Sequence, residues 1–193
     1  MNIAGIILAG GASRRMGRPK PLLTIGDETF ADRLIRVLST VCQPVVLVLG
    51  HQAEAIRAGV RRLDEVWVTV NADPERGQLS SLQTGLRAVP AAHEAAMFVP
   101  VDYPAVSEQT VARLAEAIRH APLAIPRFGG RNGHPVCVRR EIVEELLALP
   151  VEGQAREVIH RRHELARFIE CDDPGIVNDI DEPADYQRLA ERR

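Results

Sequence analysis

Short apolar runs alternate along this chain with stretches in which apolar residues recur every three or four positions. Residues 3–8 are an apolar run that ends in glycines. Residues 44–49 and 66–70 are β-branched runs, and 96–101 and 123–126 read as two more strands. Between them, Phe30, Leu34, Val37, Leu38 and Val41 fall on one face of a helix over 29–41. Val111, Leu114, Ala115 and Ile118 do the same over 107–120. Ser80 or Ser81 is expected to cap a helix running through Leu86, because a serine oxygen accepts from the free amides of a first turn.

The rhythm changes beyond residue 126. Residues 129–133 form a loop or hairpin tip, and 135–138 return as a strand, with Pro135 at its start because proline lacks the ladder donor. Two helical stretches follow near 141–149 and 154–163, then a strand at 166–170 and a terminal helix at 183–191. Strands alternating with helices predict an α/β fold: a mostly parallel twisted sheet, helices on both faces, and a small antiparallel addition or lid from 129–165.

Composition narrows the classes. Lys plus Arg is 24 and Asp plus Glu 26, a net charge of −2, without the basic excess of a nucleic-acid-coating protein. With 46% hydrophobic and 26% charged residues, the 193-residue chain is expected to fold as one domain, 1–193, that buries roughly 70% of its unfolded surface. Cys42, Cys137 and Cys171 are scattered and form no C-x-x-C pair, so neither a zinc site nor a disulfide framework is expected, and a reducing cytoplasm fits. No apolar run reaches membrane-spanning length, and the N-terminus lacks a charged leader region.

The first strand ends directly in a loop reading Leu8-Ala9-Gly10-Gly11-Ala12-Ser13-Arg14-Arg15-Met16-Gly17-Arg18-Pro19-Lys20. Ligands of open α/β sheets bind at the carboxyl edge of the strands. Gly10, Gly11 and Gly17 let the backbone approach a ligand with its amides pointing inward, and Arg14, Arg15, Arg18 and Lys20 concentrate cations there. That combination suits a polyphosphate; without the glycines it would be a solvated basic turn. A Walker A loop is excluded, because Arg15 or Met16 stands where its second glycine is required, and adjacent Gly10 and Gly11 do not make G-x-G-x-x-G.

The loop carries every fixed position of L-A-G-G-x-S-x-R-M-G-x-x-K and resembles the signature of the molybdenum cofactor nucleotidyltransferases. The resemblance continues at residues 77–86, 101–104, 133–136 (Gly-His-Pro-Val) and 178–186. Pro19-Lys20 is similar to the cytidylyl branch, where the guanylyl branch usually has Asp-Lys. It implies a Rossmann-like nucleotidyltransferase fold, Mg²⁺ dependence and release of pyrophosphate. It implies nucleotide contacts from Leu8, Ala9, Gly10, Gly11, Ser13, Asn71 and Ser81, with Arg15 on the outer phosphates and Lys20 at the reacting region. Arg14 and Arg18 fall at variable positions and read as solvated charges.

Asp102 follows a buried run, and a hard carboxylate at a strand's carboxyl end suits Mg²⁺; its other reading is a turn cap before Pro104. Asp181 matches the family's second metal-facing position, against the alternative of capping the helix that starts at Pro183. Alternation puts Asp179 on the same side as Asp181, with Ile180 opposite. Val101 and Tyr103, flanking Asp102, and Gln78 and Leu79 depart from the usual pattern. Tyr103 and His134 are candidate contacts to the second substrate, His134 also reading as a structural residue of a tight turn.

The resemblance points to CTP, with GTP as the alternative, and to a phosphorylated pterin-type acceptor, with sugar or polyol phosphates as rivals. A nucleotide-binding module without turnover is the reading from another class.

Overall fold

In the computed structural model, which describes residues 1–150 and 152–191, the chain runs β1 (Ile3–Ala9), β2 (Thr24–Ile25), β3 (Glu28–Thr29), α1 (Phe30–Ser39), β4 (Val45–Leu49), α2 (Ala53–Gly59), β5 (Trp67–Val70), α3 (Gln78–Ala88), β6 (Ala95–Pro100), α4 (Glu108–Ala117), β7 (Leu123–Phe128), β8 (Arg131–Asn132), β9 (Val136–Arg139), α5 (Arg140–Ala148), α6 (Ala155–Arg161), β10 (Ala166–Glu170) and α7 (Pro183–Glu191). Two helices start where a hydroxyl caps them. Thr29 Oγ1 accepts from Asp32 N at 3.0 Å before α1, and Ser107 Oγ accepts from Thr110 N at 3.2 Å before α4.

The third helix corrects an expectation. α3 begins earlier than either serine, and Gly77, at φ +91°, occupies its N-cap without a side-chain bond. Ser80 Oγ donates back to Gly77 O at 2.8 Å, and Ser81 lies inside the helix and is buried. The β2–β3 hairpin and α2, too short for a clear hydrophobic period, are additions to the expected elements.

The sheet order is β10-β7-β9-β6-β1-β4-β5, with β8 paired to β7. β1 pairs in parallel with β4 and β6, β4 with β5, and β7 with β10. β9 alone runs against its neighbours inside the sheet, between β6 and β7. The antiparallel part is therefore an inner strand rather than an appendage. The chain reverses through Gly129 and Gly130 (φ +55° and +78°), β8 pairs back on β7, and β9 fills the gap.

Strand alternation divides the core in two. Ile3, Ile7 and Leu47 pack against Phe30, Leu34 and Leu38 of α1 and Val111 and Leu114 of α4. Ile6, Val46 and Val48 face Leu82 and Leu86 of α3, Leu146 of α5 and Val158 of α6. Helices thus cover both faces, as a mostly parallel sheet requires. The edge strand β5 is the exception, with Trp67 49% exposed.

The C-terminal segment docks across the carboxyl edge of the sheet. Ile180 is buried, and its N–H donates to Asp102 O at 2.8 Å. The Tyr186 ring packs edge-on against Phe30, centroids 6.0 Å apart, and its hydroxyl donates to Thr24 O at 3.0 Å. No helix among the described residues is long and apolar enough to cross a membrane.

Candidate active site

From β1 the chain crosses to β4 on one side, and β6 lies on the other, so the strand order reverses between β1 and β6. A crevice opens at the carboxyl ends of such a pair. It is a cleft of about 500 Å³, walled by the glycine loop, Lys20, Ser81, Asp102 and Asp181.

The loop is shaped by its own bonds. Ser13 takes a left-handed conformation (φ +51°) and accepts from Met16 N on its carbonyl at 3.1 Å. Its Oγ accepts from Lys20 N at 2.9 Å, closing residues 13–20 into a ring. Gly10 is required by close approach: a Cβ there would lie 2.9 Å from Ser81 Oγ. Leu8 and Ala9 end β1 at the cleft, and Gly11 stands open beside them.

Lys20 is the centre of charge. Its Nζ lies 2.5 Å from Asp181 Oδ1 and 3.7 Å from Asp102 Oδ2, and its side chain is only 14% exposed. Arg15 reaches Asp181 Oδ2 at 2.8 Å from the solvent side. The Lys20 hydrogen bond holds the Asp181 carboxyl below its ordinary range, with both cations adding attraction. Asp102 goes the other way. Burial pushes its carboxyl up, the Lys20 charge offsets this in part, and Asp102 Oδ1 is buried without a hydrogen-bond partner. Neither aspartate is a cap. Asp185 serves the start of α7, its Oδ2 accepting from Asp181 N and Glu182 N at 3.0 and 2.8 Å.

The other candidates divide. Ser81 lines the cleft, but Asn71 is not among its lining residues, its Nδ2 donating to Ser80 Oγ and Ser81 Oγ at 2.8 and 3.0 Å and its Oδ1 accepting from Asp73 N at 3.1 Å. The structure thus places Asn71, expected at the nucleotide, beside Ser81 and outside the lining of the cleft. Tyr103 and His134 meet ring to ring, centroids 4.7 Å apart, outside this cleft. Burial lowers the His134 imidazole to about 4 and raises the Tyr103 phenol to about 12, so both are neutral at pH 7. Arg14 is exposed at the mouth, 3.2 Å from Glu75, and Arg18 lies over the Tyr186 ring, 5.5 Å from its centroid. Two polar lining residues escaped the sequence reading: His51, which follows β4, and Glu75, 3.2 Å from it. The signal for His51 was its place just past a strand's carboxyl end.

The carboxylates fit a divalent cation. An unpartnered buried oxygen on Asp102 is the kind of atom a hard cation offsets, and each Asp181 oxygen keeps a lone pair beyond its ion pair. No group of three or more His, Cys, Asp or Glu side chains able to hold a metal forms among the described residues. Two carboxylates, with room for further oxygen ligands, suit a hard divalent cation and not structural zinc.

Comparison with known proteins agrees with this geometry. The nicotine blue oxidoreductase of Paenarthrobacter nicotinovorans is 30% identical over 97% of this chain and 96% of its own. The molybdenum cofactor cytidylyltransferase of Escherichia coli K12 is 25% identical over 97% and 95%. Further relatives are named probable molybdenum cofactor guanylyltransferase. The crystal structure of Rv0371C with manganese from Mycobacterium tuberculosis H37Rv superposes with a TM-score of 0.83, at 27% identity over the whole of both chains. The family described as MobA-like NTP transferase domain matches residues 5–166, and the chain belongs to it, as a nucleotidyltransferase.

Proposed function

We propose that this protein transfers a nucleoside monophosphate, from CTP in preference to GTP, to the phosphate of a molybdenum-bearing pterin, with Mg²⁺, in the cytoplasm. One observation carries the reading: a largely sequestered Lys20 held between Asp102 and Asp181 under a glycine loop at the sheet's switch point. An acceptor phosphate oxygen bonds to the α-phosphorus while the bond to the β-phosphate oxygen breaks, and pyrophosphate leaves. Two anions must meet, so the Lys20 ammonium stabilises charge at the reacting phosphorus and the Arg15 guanidinium binds the outer phosphates. Asp102 and Asp181 would hold Mg²⁺, which when bound neutralises phosphate charge. A general base is unnecessary, because a phosphate monoester is largely ionised near pH 7. Buried free thiols at Cys42, Cys137 and Cys171 fit a reducing compartment.

The test is pyrophosphate release with each nucleoside triphosphate, Mg²⁺ and a phosphorylated pterin, beside a thermal-shift panel of the same nucleotides. CTP–Mg²⁺ is expected to stabilise the fold most. A larger shift with GTP would reverse the base assignment and leave the chemistry standing.

One observation favours a second reading, redox turnover of an organic substrate: the near full-length similarity to an enzyme named as an oxidoreductase. Two carboxylates bracketing a cation serve phosphoryl chemistry better than hydride transfer. Consumption of a reduced nicotinamide cofactor without pyrophosphate release would decide for the second reading.

A further inference from the structure

The main sheet runs from β10 at one edge to β5 at the other. An edge strand offers unpaired N–H and C=O groups to any other strand, and proteins commonly blunt it with charge or proline. β10 is blunted, with Arg167 and Glu170 exposed along it. β5 is not. Residues 66–70 read Val-Trp-Val-Thr-Val, without a charge or a proline. Among the described residues, Trp67 and Val70 are two of the three exposed large hydrophobic side chains, so the bare edge is also an apolar one. The register with β4 sets Trp67 and Thr69 beside Val46 and Val48, on the α3 side, and Val68 and Val70 beside Leu47 and Leu49, on the α1 side. Asn71 N–H donates to Leu49 O at 2.8 Å. Alternation therefore turns the N–H groups of Trp67 and Thr69 toward β4 and those of Val68 and Val70 outward.

We propose that β5 is a self-association edge, on which a second copy of this chain pairs its own β5 antiparallel about a two-fold axis at Val68. Val68 then meets Val68, Val66 meets Val70, and Trp67 meets Thr69 of the second copy. Opposed β-branched pairs and aromatic pairs with β-branched residues are favourable sheet neighbours. The two Val68 residues exchange ladder bonds through groups that already point outward, and each Val70 N–H faces a Val66 carbonyl. Charge selects this register. It opposes Glu65 to Asn71 and Asp64 to Ala72, and it sets the exposed Arg61 of one copy level with Glu75 of the other, at the mouth of the cleft. A shift of two residues one way opposes Glu65 to Asp73 and Arg62 to Arg76, like charge to like. The opposite shift sets Asp64 against Val70 and Glu65 against Thr69. A foreign strand would have to supply this complement, whereas a second copy carries it. The axis reverses the strands, so the two clefts open at opposite ends of the joined sheet. So short a pairing makes a small interface, and the dimer is expected to form at protein concentrations on the order of 100 µM.

Trp67 is the chain's single tryptophan and reports the pairing directly. Sedimentation velocity over a concentration series from about a hundredfold below that midpoint to about tenfold above it is expected to show a monomer giving way to a dimer. Over the same range Trp67 emission should move to shorter wavelength and become less open to quenching by acrylamide. Val70 is 42% exposed, so Val70→Lys keeps the fold while placing charge on the edge. Val70→Pro removes an outward N–H and spares the bonds to β4. Each is expected to raise the midpoint about tenfold or more, the loss of about 1.4 kcal/mol, with melting curves recorded beside it. Val70→Thr, which keeps the branch and the N–H, is expected to leave the midpoint within about twofold. A monomer at every concentration would overturn the proposal, as would a dimer unmoved by Val70→Lys or one in which Trp67 emission does not change. Growth past the dimer would overturn it too, because β5 would then be pairing with a different edge of the next copy.

Discussion

Replacing Lys20 by alanine is the sharpest test of the site. Its side chain is 14% exposed and its ammonium meets both carboxylates, so the phosphates that arrive with a metal ion enter its immediate surroundings. A unit charge about 4 Å from a developing charge contributes about 4 kcal/mol at the effective dielectric of such a partly open site. Measured losses of one positioned electrostatic contact, ~2.7–4 kcal/mol, agree and correspond to about a hundredfold to a thousandfold in rate. Lys20→Ala should therefore lower kcat by that factor with the fold intact. Arg18→Ala, two residues away, is the control. Arg18 lies on Tyr186 outside the cleft, and the loss of an exposed cation–π contact costs about 1 kcal/mol of stability at most, a shift in Tm of ~2–4 °C. Pyrophosphate release by both variants at saturating nucleotide and Mg²⁺, beside their melting curves, compares them directly. Equal losses of kcat would mean that the loop attracts phosphate diffusely. A Lys20→Ala variant altered only in KM would remove Lys20 from the reacting centre.

Asp102→Asn is expected to lower Mg²⁺-dependent turnover about a hundredfold or more. Because burial penalises the charged carboxyl at neutral pH, the same variant should melt no earlier than the parent; a metal titration with a thermal scan checks both. For His134, a base whose folded value of about 4 lies below its ordinary 6.5, the unfolded chain takes up the proton first as pH falls. Stability on the order of 3 kcal/mol should thus be lost between pH 6.5 and 4, and His134→Phe should abolish that part of the acid sensitivity in denaturant titrations; parallel pH profiles would refute it. Gly10→Ala, whose methyl would lie 2.9 Å from Ser81 Oγ, should cost ~1–3 kcal/mol by crowding, whereas Gly11→Ala, with nothing within 4 Å, should leave stability nearly unchanged in urea.

Most of the architecture was legible because hydrophobic period records burial. The bounds of β10 and α7 agree with the sequence reading, and Thr29 and Ser107 mark helix starts by their chemistry. What burial does not record is strand order. Residues 66–70 read like any inner strand, yet β5 is an edge, and β9 sits inside the sheet although it arrives late in the chain. The start of α3 was hidden because a glycine caps it through its backbone, leaving two nearby serines as more visible decoys. The glycine loop, Lys20 and Asp102 were legible from chemistry beside a buried strand. The internal bonding of Asn71 was not, because a polar side chain that bonds its neighbours has the same letter as one facing a ligand.

The hydrogen bond from Ile180 N to Asp102 O joins a residue beyond the family-matched region, which ends at residue 166, to one inside it. Asp181, the partner of Lys20, is thereby delivered 161 positions downstream of it, by a segment that leaves the ribosome after all ten described strands. A nascent chain with its sheet already formed would own the glycine loop and one carboxylate but not the second. The order of synthesis itself withholds the complete charge constellation until the rest of the sheet can be in place, so partly made chains should be unable to consume nucleotide.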